Sequence, residues 1–146
     1  MRSARLFVPA LCGAFLLGVA VRGMFQPATL QAAAANRVFE LRTYTAPPGK
    51  LEALKARFRD NTIRIFKRHN MEAIGYWVPQ DPPLHDNTLI YVLVHPSREA
   101  ATRNWAEFQA DPEWQQVRAD SQKDGALTTK TPDSVFMDPA DFSAIK

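Results

Sequence analysis

The sequence predicts an α+β fold in the order βαββαβ, with one antiparallel sheet and helices on one of its faces. Three observations lead to this prediction. After the first 35 residues, the chain consists of two halves that share the order strand, helix, strand. The run TLIYVLVH at residues 88–95 is apolar at odd and even positions alike, which is typical of a strand buried on both faces. Prolines and glycines separate the predicted elements from one another.

The first half consists of a strand, a helix and a second strand. Polar and apolar residues alternate over residues 38–45, which predicts a strand, and APPG at residues 46–49 ends it. A helix is predicted over residues 50–69 because apolar side chains recur there with a period close to 3.6. Its basic side chains, Arg57 among them, are expected on a solvated face. The run MEAIGYWVP at residues 71–79 predicts the second strand.

The second half follows a polar, proline-rich loop at residues 80–87. After the strand at residues 88–95, apolar residues at helical spacing predict another helix. Asp111 and Pro112 predict that this helix restarts, because Asp is a favoured N-cap and Pro is favoured at the first helical position. Residues 134–138 predict the last strand.

This order is the ferredoxin-like plan, in which the first and third strands are central neighbours and one sheet face stays bare. Since the strand at residues 88–95 is apolar on both sides, the bare face would form an apolar patch, which proteins rarely leave in water. We therefore expect a homodimer in which a second copy covers this face. Glu40, Arg42 and Tyr44 alternate along the first strand, and we expect this polar row to point between the sheet and its cover.

Residues 1–35 form the pattern of a secretory signal peptide or an N-terminal signal anchor, and residues 36–146 form the domain. Basic residues precede an apolar run at residues 6–21, and small residues at 33–35 provide a cleavage site before Asn36. The run is slightly shorter than the roughly 20 residues that span a bilayer, which favours cleavage over anchoring. The pattern predicts export to the bacterial periplasm or cell envelope, with an inner-membrane anchor or a mitochondrial location as alternatives.

The composition of the domain argues against several classes of function. Three of the 18 basic residues and none of the 15 acidic ones lie in the leader, so the domain carries 15 of each and no basic footprint for nucleic acid. The single cysteine, Cys12, lies in the leader, which leaves the domain without a disulfide or a thiol nucleophile. The three histidines lack the spacing of zinc sites, so no metal site is predicted.

Several short motifs resemble one known family. The stretch FELRTYTAPPGKLEAL at residues 39–54 resembles the opening of NIPSNAP-family domains, with their start E-L-R-x-Y-x-x-x-P-G. IGYW at residues 74–77 and DPEW at residues 111–114 are similar to that family as well. The resemblance implies a dimeric α/β-barrel of ferredoxin-like subunits that pair sheet to sheet. It implies no particular reaction, and related dimeric barrels include haem-binding proteins and cofactor-free monooxygenases.

Six residues are candidates for lining a ligand cavity. They are Glu40, Arg42, Tyr44, His69, Tyr91 and His95. In one interpretation the polar row of the first strand supplies donors and acceptors, with Arg42 binding an anionic group. In the other, Glu40 and Arg42 form an internal pair at a dimer seam, because buried charges need partners.

The histidines also allow two interpretations each. His69, on the apolar stripe of the first helix, is either a haem ligand or general base, or a half-buried residue near a helix end. His95 shares its side of the strand with Tyr91 and either lines the same cavity or only ends the strand.

We therefore expect an exported domain of unassigned reaction that binds a small apolar or amphipathic ligand, or a partner protein, as a homodimer. The alternative is a dimeric-barrel enzyme, either a cofactor-free oxygenase or isomerase or a haem-binding protein. The sequence contains no identifiable catalytic motif, so it leaves open whether any reaction is catalysed. No cofactor is predicted, although haem fits the alternative.

Overall fold

The computed structural model describes residues 37–146, so the predicted leader and Cys12 lie outside the described residues. The strands are β1 (Val38–Thr45), β2 (Glu72–Trp77), β3 (Thr88–His95) and β4 (Asp133–Met137). The helices are α1 (Leu51–Arg57), α2 (Ile63–Arg68), α3 (Arg98–Ala110) and α4 (Pro112–Ser121). A short 3-10 helix, Leu84–Asp86, lies in the predicted loop before β3.

The four strands form one antiparallel sheet in the order β2-β3-β1-β4. β1 and β3 are the central pair, and their register places Glu40 opposite Leu93 and Arg42 opposite Tyr91. The predicted α+β class and the ferredoxin-like order βαββαβ are therefore confirmed.

The core lies between the sheet and the helices and is rich in aromatic side chains. Tyr91 of β3 is fully buried at its centre. Phe58 and Phe66 from the first helical segment pack against Tyr91, with ring centroids 5.3 and 6.0 Å away. Phe108 of α3 extends the cluster, 4.8 Å from Phe66. Since each buried aromatic ring removes a large apolar area from water, this cluster holds the helices on the sheet.

The helix predicted over residues 50–69 is interrupted by a π-helical turn at Phe58–Thr62, which joins α1 to α2. The Thr62 hydroxyl donates to the Arg57 carbonyl oxygen at 3.2 Å, within this turn. The extra residue in the turn changes the phase of the helix, so its two parts face the sheet differently. Arg57 is buried, with 7% of its surface exposed, and its predicted position on a solvated face is wrong.

The junction between α3 and α4 is held by Asp111. As predicted, this residue is the N-cap of α4, and its Oδ1 accepts from the backbone amides of Glu113 and Trp114. Its Oδ2 accepts from Arg68 at 2.6 Å and contacts His69 Nε2 at 2.7 Å. Hydrogen bonds from His69 and Arg68 hold the pKa of Asp111 well below its ordinary value. This carboxylate therefore links the end of α2 to the start of α4.

No helix formed by residues 37–146 covers the second face of the sheet, and this face is apolar. The register brings Leu41, Val92 and Val135 side by side on this face. Val135 is 53% exposed, and Ile74 of β2 is 42% exposed. The C-terminal residues 138–146 turn back beside one end of the face and cover only part of it.

Candidate functional site

Glu40 is a buried carboxylate that accepts hydrogen bonds from four different elements of the fold. It is 1% exposed, on the helix-covered face of β1. Its Oε2 contacts His95 Nε2 at 3.1 Å and accepts from Trp105 Nε1 at 2.7 Å. Its Oε1 accepts from the Ser134 hydroxyl at 2.6 Å and from Arg42 Nη1 at 3.1 Å. A buried charge is tolerated only when it is paired and hydrogen-bonded, and Glu40 meets both conditions.

The electrostatics of this cluster favour the ionised form of Glu40. Burial alone would raise the pKa of its carboxyl group. The hydrogen bonds from His95, Ser134 and Trp105, together with the charge of Arg42, outweigh burial and lower the pKa of Glu40 to about 2. Glu40 is therefore a permanent negative charge at neutral pH that neutralises Arg42.

The polar row of β1 faces the helices, which corrects the expectation that it points between the sheet and its cover. Glu40 bonds to Trp105 of α3, and the ring of Tyr44 packs edge-on against Phe58 at 5.4 Å. The physical reason is that partners within the same subunit satisfy these groups, while apolar residues occupy the other face of β1. The predicted internal pair of Glu40 and Arg42 is present, but it does not lie on the bare face of the sheet.

Arg42 and Tyr44 reach from this cluster into a partly open pocket of about 350 Å³ between the sheet, α1 and α4. We name it the arginine–tryptophan pocket. Its wall consists of Arg42, Tyr44, Arg57, Gln109, Trp114, Arg118, Gln122, Thr128, Lys130, Thr131 and Pro132. The volume is in the range of small-molecule sites, and the wall combines aromatic rings with hydrogen-bond donors.

Among residues 37–146, the pocket wall carries four cationic side chains and no acidic one. Two of the cations are neutralised by neighbours, since Arg42 pairs with Glu40 and Lys130 pairs with Asp133 at 2.7 Å. Arg57 and Arg118 have no acidic partner within 4.0 Å among residues 37–146. Burial lowers the pKa of Arg57, and the positive charge of Arg118 adds to this effect. The Arg57 guanidinium nevertheless remains protonated at neutral pH, because arginine titrates far above it.

Aromatic side chains form the other part of the wall. The guanidinium carbon of Arg57 lies 5.3 Å from the ring centroid of Trp114. Trp114 packs on Phe108 of the core with centroids 4.4 Å apart, so its position is fixed. The Tyr91 hydroxyl donates to the Tyr44 hydroxyl at 3.2 Å from beneath the wall. The pocket therefore offers a rigid apolar surface beside positive charge.

The structure brings five of the six predicted candidates into one connected group. Arg42 and Tyr44 line the pocket, while Glu40, Tyr91 and His95 lie buried behind them. His69 belongs elsewhere, at the Asp111 junction on α2 and α4. Whether these candidates bind a ligand stays a prediction.

A second, larger cavity of about 560 Å³ lies at the far end of β3. His95 lines it together with side chains of both charges, such as Lys67 and Glu72. The ring of His95 is fully buried, and its Nδ1 has no hydrogen-bond partner among the described residues. The arginine–tryptophan pocket is the stronger candidate because it contains Arg42 and Tyr44 and a surplus of positive charge.

Arg57, Trp114 and Arg118 are site residues that the sequence reasoning did not select. Trp114 is both buried and part of the wall. A signal for Arg57 does exist in the sequence, because it directly precedes Phe58 and lies three residues after Leu54 on the apolar stripe. The π-helical turn that completes its burial has no such sequence pattern.

No group of three or more His, Cys, Asp or Glu side chains is arranged to hold a metal ion in the part of the chain that the structure describes. Among the same residues, no helix has the length and apolar character needed to cross a membrane.

The sheet, the helix layer and the pocket define a ferredoxin-like α+β domain with one ligand-sized cationic cavity between its layers. The chain belongs to the NIPSNAP family, whose model matches residues 39–144. The resemblance carried by the E-L-R-x-Y motif is thereby confirmed. Comparison with curated proteins finds no match.

Solved structures with the same fold include other members of this family. A NIPSNAP family protein of unknown function from Agrobacterium tumefaciens is 26% identical, with a TM-score of 0.66, and the match covers 77% of this chain and 96% of that one. A NIPSNAP-like domain protein from Burkholderia xenovorans is 23% identical, with a TM-score of 0.65, and the match covers 75% and 90%. A Streptomyces coelicolor monooxygenase, solved in complex with Nanaomycin D, is 17% identical at a TM-score of 0.51, with 73% and 89% covered. This last similarity shows a shared fold.

We expect Glu40→Gln to lower the free energy of unfolding at pH 7 by about 3 kcal/mol, because it leaves buried donors facing an uncharged amide. The pKa of Glu40 falls from 4.5 to about 2 on folding, so its contribution is fully present above the unfolded pKa. That contribution is lost as the pH falls from about 4.5 to about 2. Urea unfolding of both proteins across this range measures the difference.

The matched control is Glu52→Gln, which changes an exposed carboxylate of α1 that pairs with Lys55 at the surface. An equal loss in both variants, or a difference between wild type and Glu40→Gln that stays constant with pH, would contradict the assigned role of Glu40.

Proposed function

We propose that this NIPSNAP domain is an exported homodimer in which each subunit binds a small amphipathic molecule in the arginine–tryptophan pocket. The observation that carries the proposal is the wall itself. It sets the fixed ring of Trp114 beside polar side chains in a cavity of about 350 Å³. Ligand sites typically combine an apolar surface with a few polar groups that orient the ligand, and this pocket has both.

The homodimer part of the proposal is supported by the bare sheet face. Val92, Ile74 and Val135 form a continuous apolar surface there, and no helix of the described part of the chain covers it. A second copy with the same surface is a partner that supplies equal apolar area. Because the pocket lies on the opposite side of the sheet, dimerisation leaves it open to ligand.

The binding proposal is tested by thermal melting of the protein against a panel of amphipathic molecules, such as medium-chain acids, alcohols and aryl-alkyl compounds. We expect at least one member to raise the melting temperature by about 10 °C at a hundred times its dissociation constant. Chromatography of the recovered compound shows whether it returns unchanged, as binding predicts, or converted, as the enzymatic alternative predicts.

Two threonine variants make this test specific for the pocket. Thr131→Trp places a large side chain on the pocket wall and should abolish the shift. Thr102→Trp makes the same change on the exposed side of α3, away from the pocket, and should leave it intact. If both variants keep the full shift, the ligand binds elsewhere and the proposed site is wrong.

The homodimer is tested by sedimentation velocity at micromolar concentration. We expect a species of twice the chain mass, and Val92→Asp should convert it to single subunits because it buries a charge at the centre of the apolar face. Ala106→Asp, on the exposed side of α3, is the control and should remain dimeric. Single subunits in the wild-type protein would refute the dimer.

Export is tested by fractionation of bacteria that express the full chain, followed by mass spectrometry. We expect the protein in the envelope fraction, with Asn36 as its first residue, because the leader ends in small residues. A chain of 16.4 kDa in the membrane fraction would indicate the anchored alternative. The full chain in the cytosol would contradict export.

A further inference from the structure

We infer that the arginine–tryptophan pocket selects organic anions, with a carboxylate or phosphate group held by Arg57 and Arg118 and an apolar body packed on Trp114. This inference rests on the proposed binding function and adds the chemical class of the ligand. It follows from the charge of the wall, from the burial of Arg57 and from the geometry of the helix that places it.

Arg57 is a buried cation without a counter-ion among the described residues. It is 93% buried, and its Nε has no hydrogen-bond partner among residues 37–146. Other buried charges of the domain are paired, since Glu40 binds Arg42 and Asp111 binds Arg68. A buried charge left unpaired is costly, so it is expected where a ligand supplies the missing partner.

The surplus charge of the pocket wall is positive. Glu40 and Asp133 neutralise Arg42 and Lys130, and these pairs leave Arg57 and Arg118 uncompensated on the wall. No acidic side chain lines the described pocket. Guanidinium groups bind carboxylates and phosphates with parallel hydrogen bonds, so two of them suit an anionic head group.

An irregular stretch of backbone positions Arg57. This arginine is the last residue of α1, and the π-helical turn Phe58–Thr62 begins directly after it. The Thr62 hydroxyl holds the Arg57 carbonyl at 3.2 Å, which stabilises this irregular turn. Single π-helical turns inside α-helices occur frequently at functional sites. The turn lets Phe58 enter the core while the neighbouring arginine reaches the pocket.

Trp114 provides the surface on which the body of the ligand packs. The ring of Trp114 lies 5.3 Å from the Arg57 guanidinium carbon, so a head group at Arg57 brings its substituent alongside the ring. Gln109 and Thr131 add neutral polar groups to the wall. An anion with an aromatic or aliphatic body therefore matches the wall better than a bare inorganic anion.

The inference is tested with three probes of similar shape: 3-phenylpropionate, phenyl phosphate and the neutral 3-phenylpropionamide. Calorimetry and thermal melting of the protein should show binding of at least one anion and at least tenfold weaker binding of the amide. Arg57→Met should weaken binding of that anion by about tenfold to a hundredfold, because it removes charged hydrogen bonds. Comparing the two anions distinguishes a carboxylate site from a phosphate site.

The variants also separate a binding role from a structural one. Arg57→Met should melt at or above the wild-type temperature without ligand, because an unpaired buried charge is replaced by an apolar side chain. Arg118→Met, at an exposed position of α4, is a second variant that should reduce anion binding without disturbing the fold. Arg103→Met, on the exposed surface of α3, is the control and should bind as the wild type does.

Three results would overturn the inference, and they differ in what they imply for the proposed binding function. If the amide binds as tightly as the anions, and Arg57→Met and Arg118→Met leave this binding unchanged, the anion selectivity is wrong while the proposed binding function stands. If none of the three probes shifts the melting temperature although a neutral compound of the wider panel does, the anion selectivity is again wrong. The proposed binding function then still stands. If neither these probes nor any compound of the panel binds, both are contradicted.

Discussion

The constraint on which the site depends is the burial of one negative charge, the carboxylate of Glu40. In the interior of the domain this charge needs several donors at once, and it draws them from α3, β3, β4 and β1. These bonds tie Trp105 and the helix layer to the centre of the sheet. They also hold Arg42 at the edge of the pocket, where its guanidinium lies 4.7 Å from the Trp105 ring. The bond to Glu40 thus fixes the position of Arg42.

Arg57 has the opposite electrostatic situation on the facing side of the same pocket. Arg57 is buried because the adjacent Phe58 packs in the core and the π-helical turn follows directly. No acidic group among the described residues compensates its charge. On one wall of the pocket, the charge of Arg42 is therefore neutralised and its position is fixed. On the other wall, the positive charge of Arg57 can pair with a ligand. A selective site for anions requires this combination of a rigid, charge-neutral framework and an unpaired positive charge. The fold alone would not imply it, since ferredoxin-like sheets support many functions.

Much of the architecture could be predicted from the sequence, because the spacing of apolar residues indicates which side chains are buried. The apolar strand at residues 88–95 and the Asp111–Pro112 helix start were both predicted correctly. The orientation of Glu40 was not, because alternation along a strand separates two faces without saying which of them the helices cover. The apolar neighbours of Arg57 were a signal for its burial, but the π-helical turn that completes this burial has no sequence pattern of its own. The partnership of His69 with Asp111 joins residues far apart in the chain. Long-range pairing and irregular helix geometry leave no local pattern to detect.

The most direct test of the account is a crystal structure of the protein with 3-(4-bromophenyl)propionate, in which the bromine is located by its anomalous signal. We predict a bromine peak against the ring of Trp114 and a carboxylate that bridges Arg57 and Arg118, with the bonds to Glu40 unchanged. A peak on the bare sheet face or in the cavity beside His95, with the arginine–tryptophan pocket unoccupied, would contradict the account.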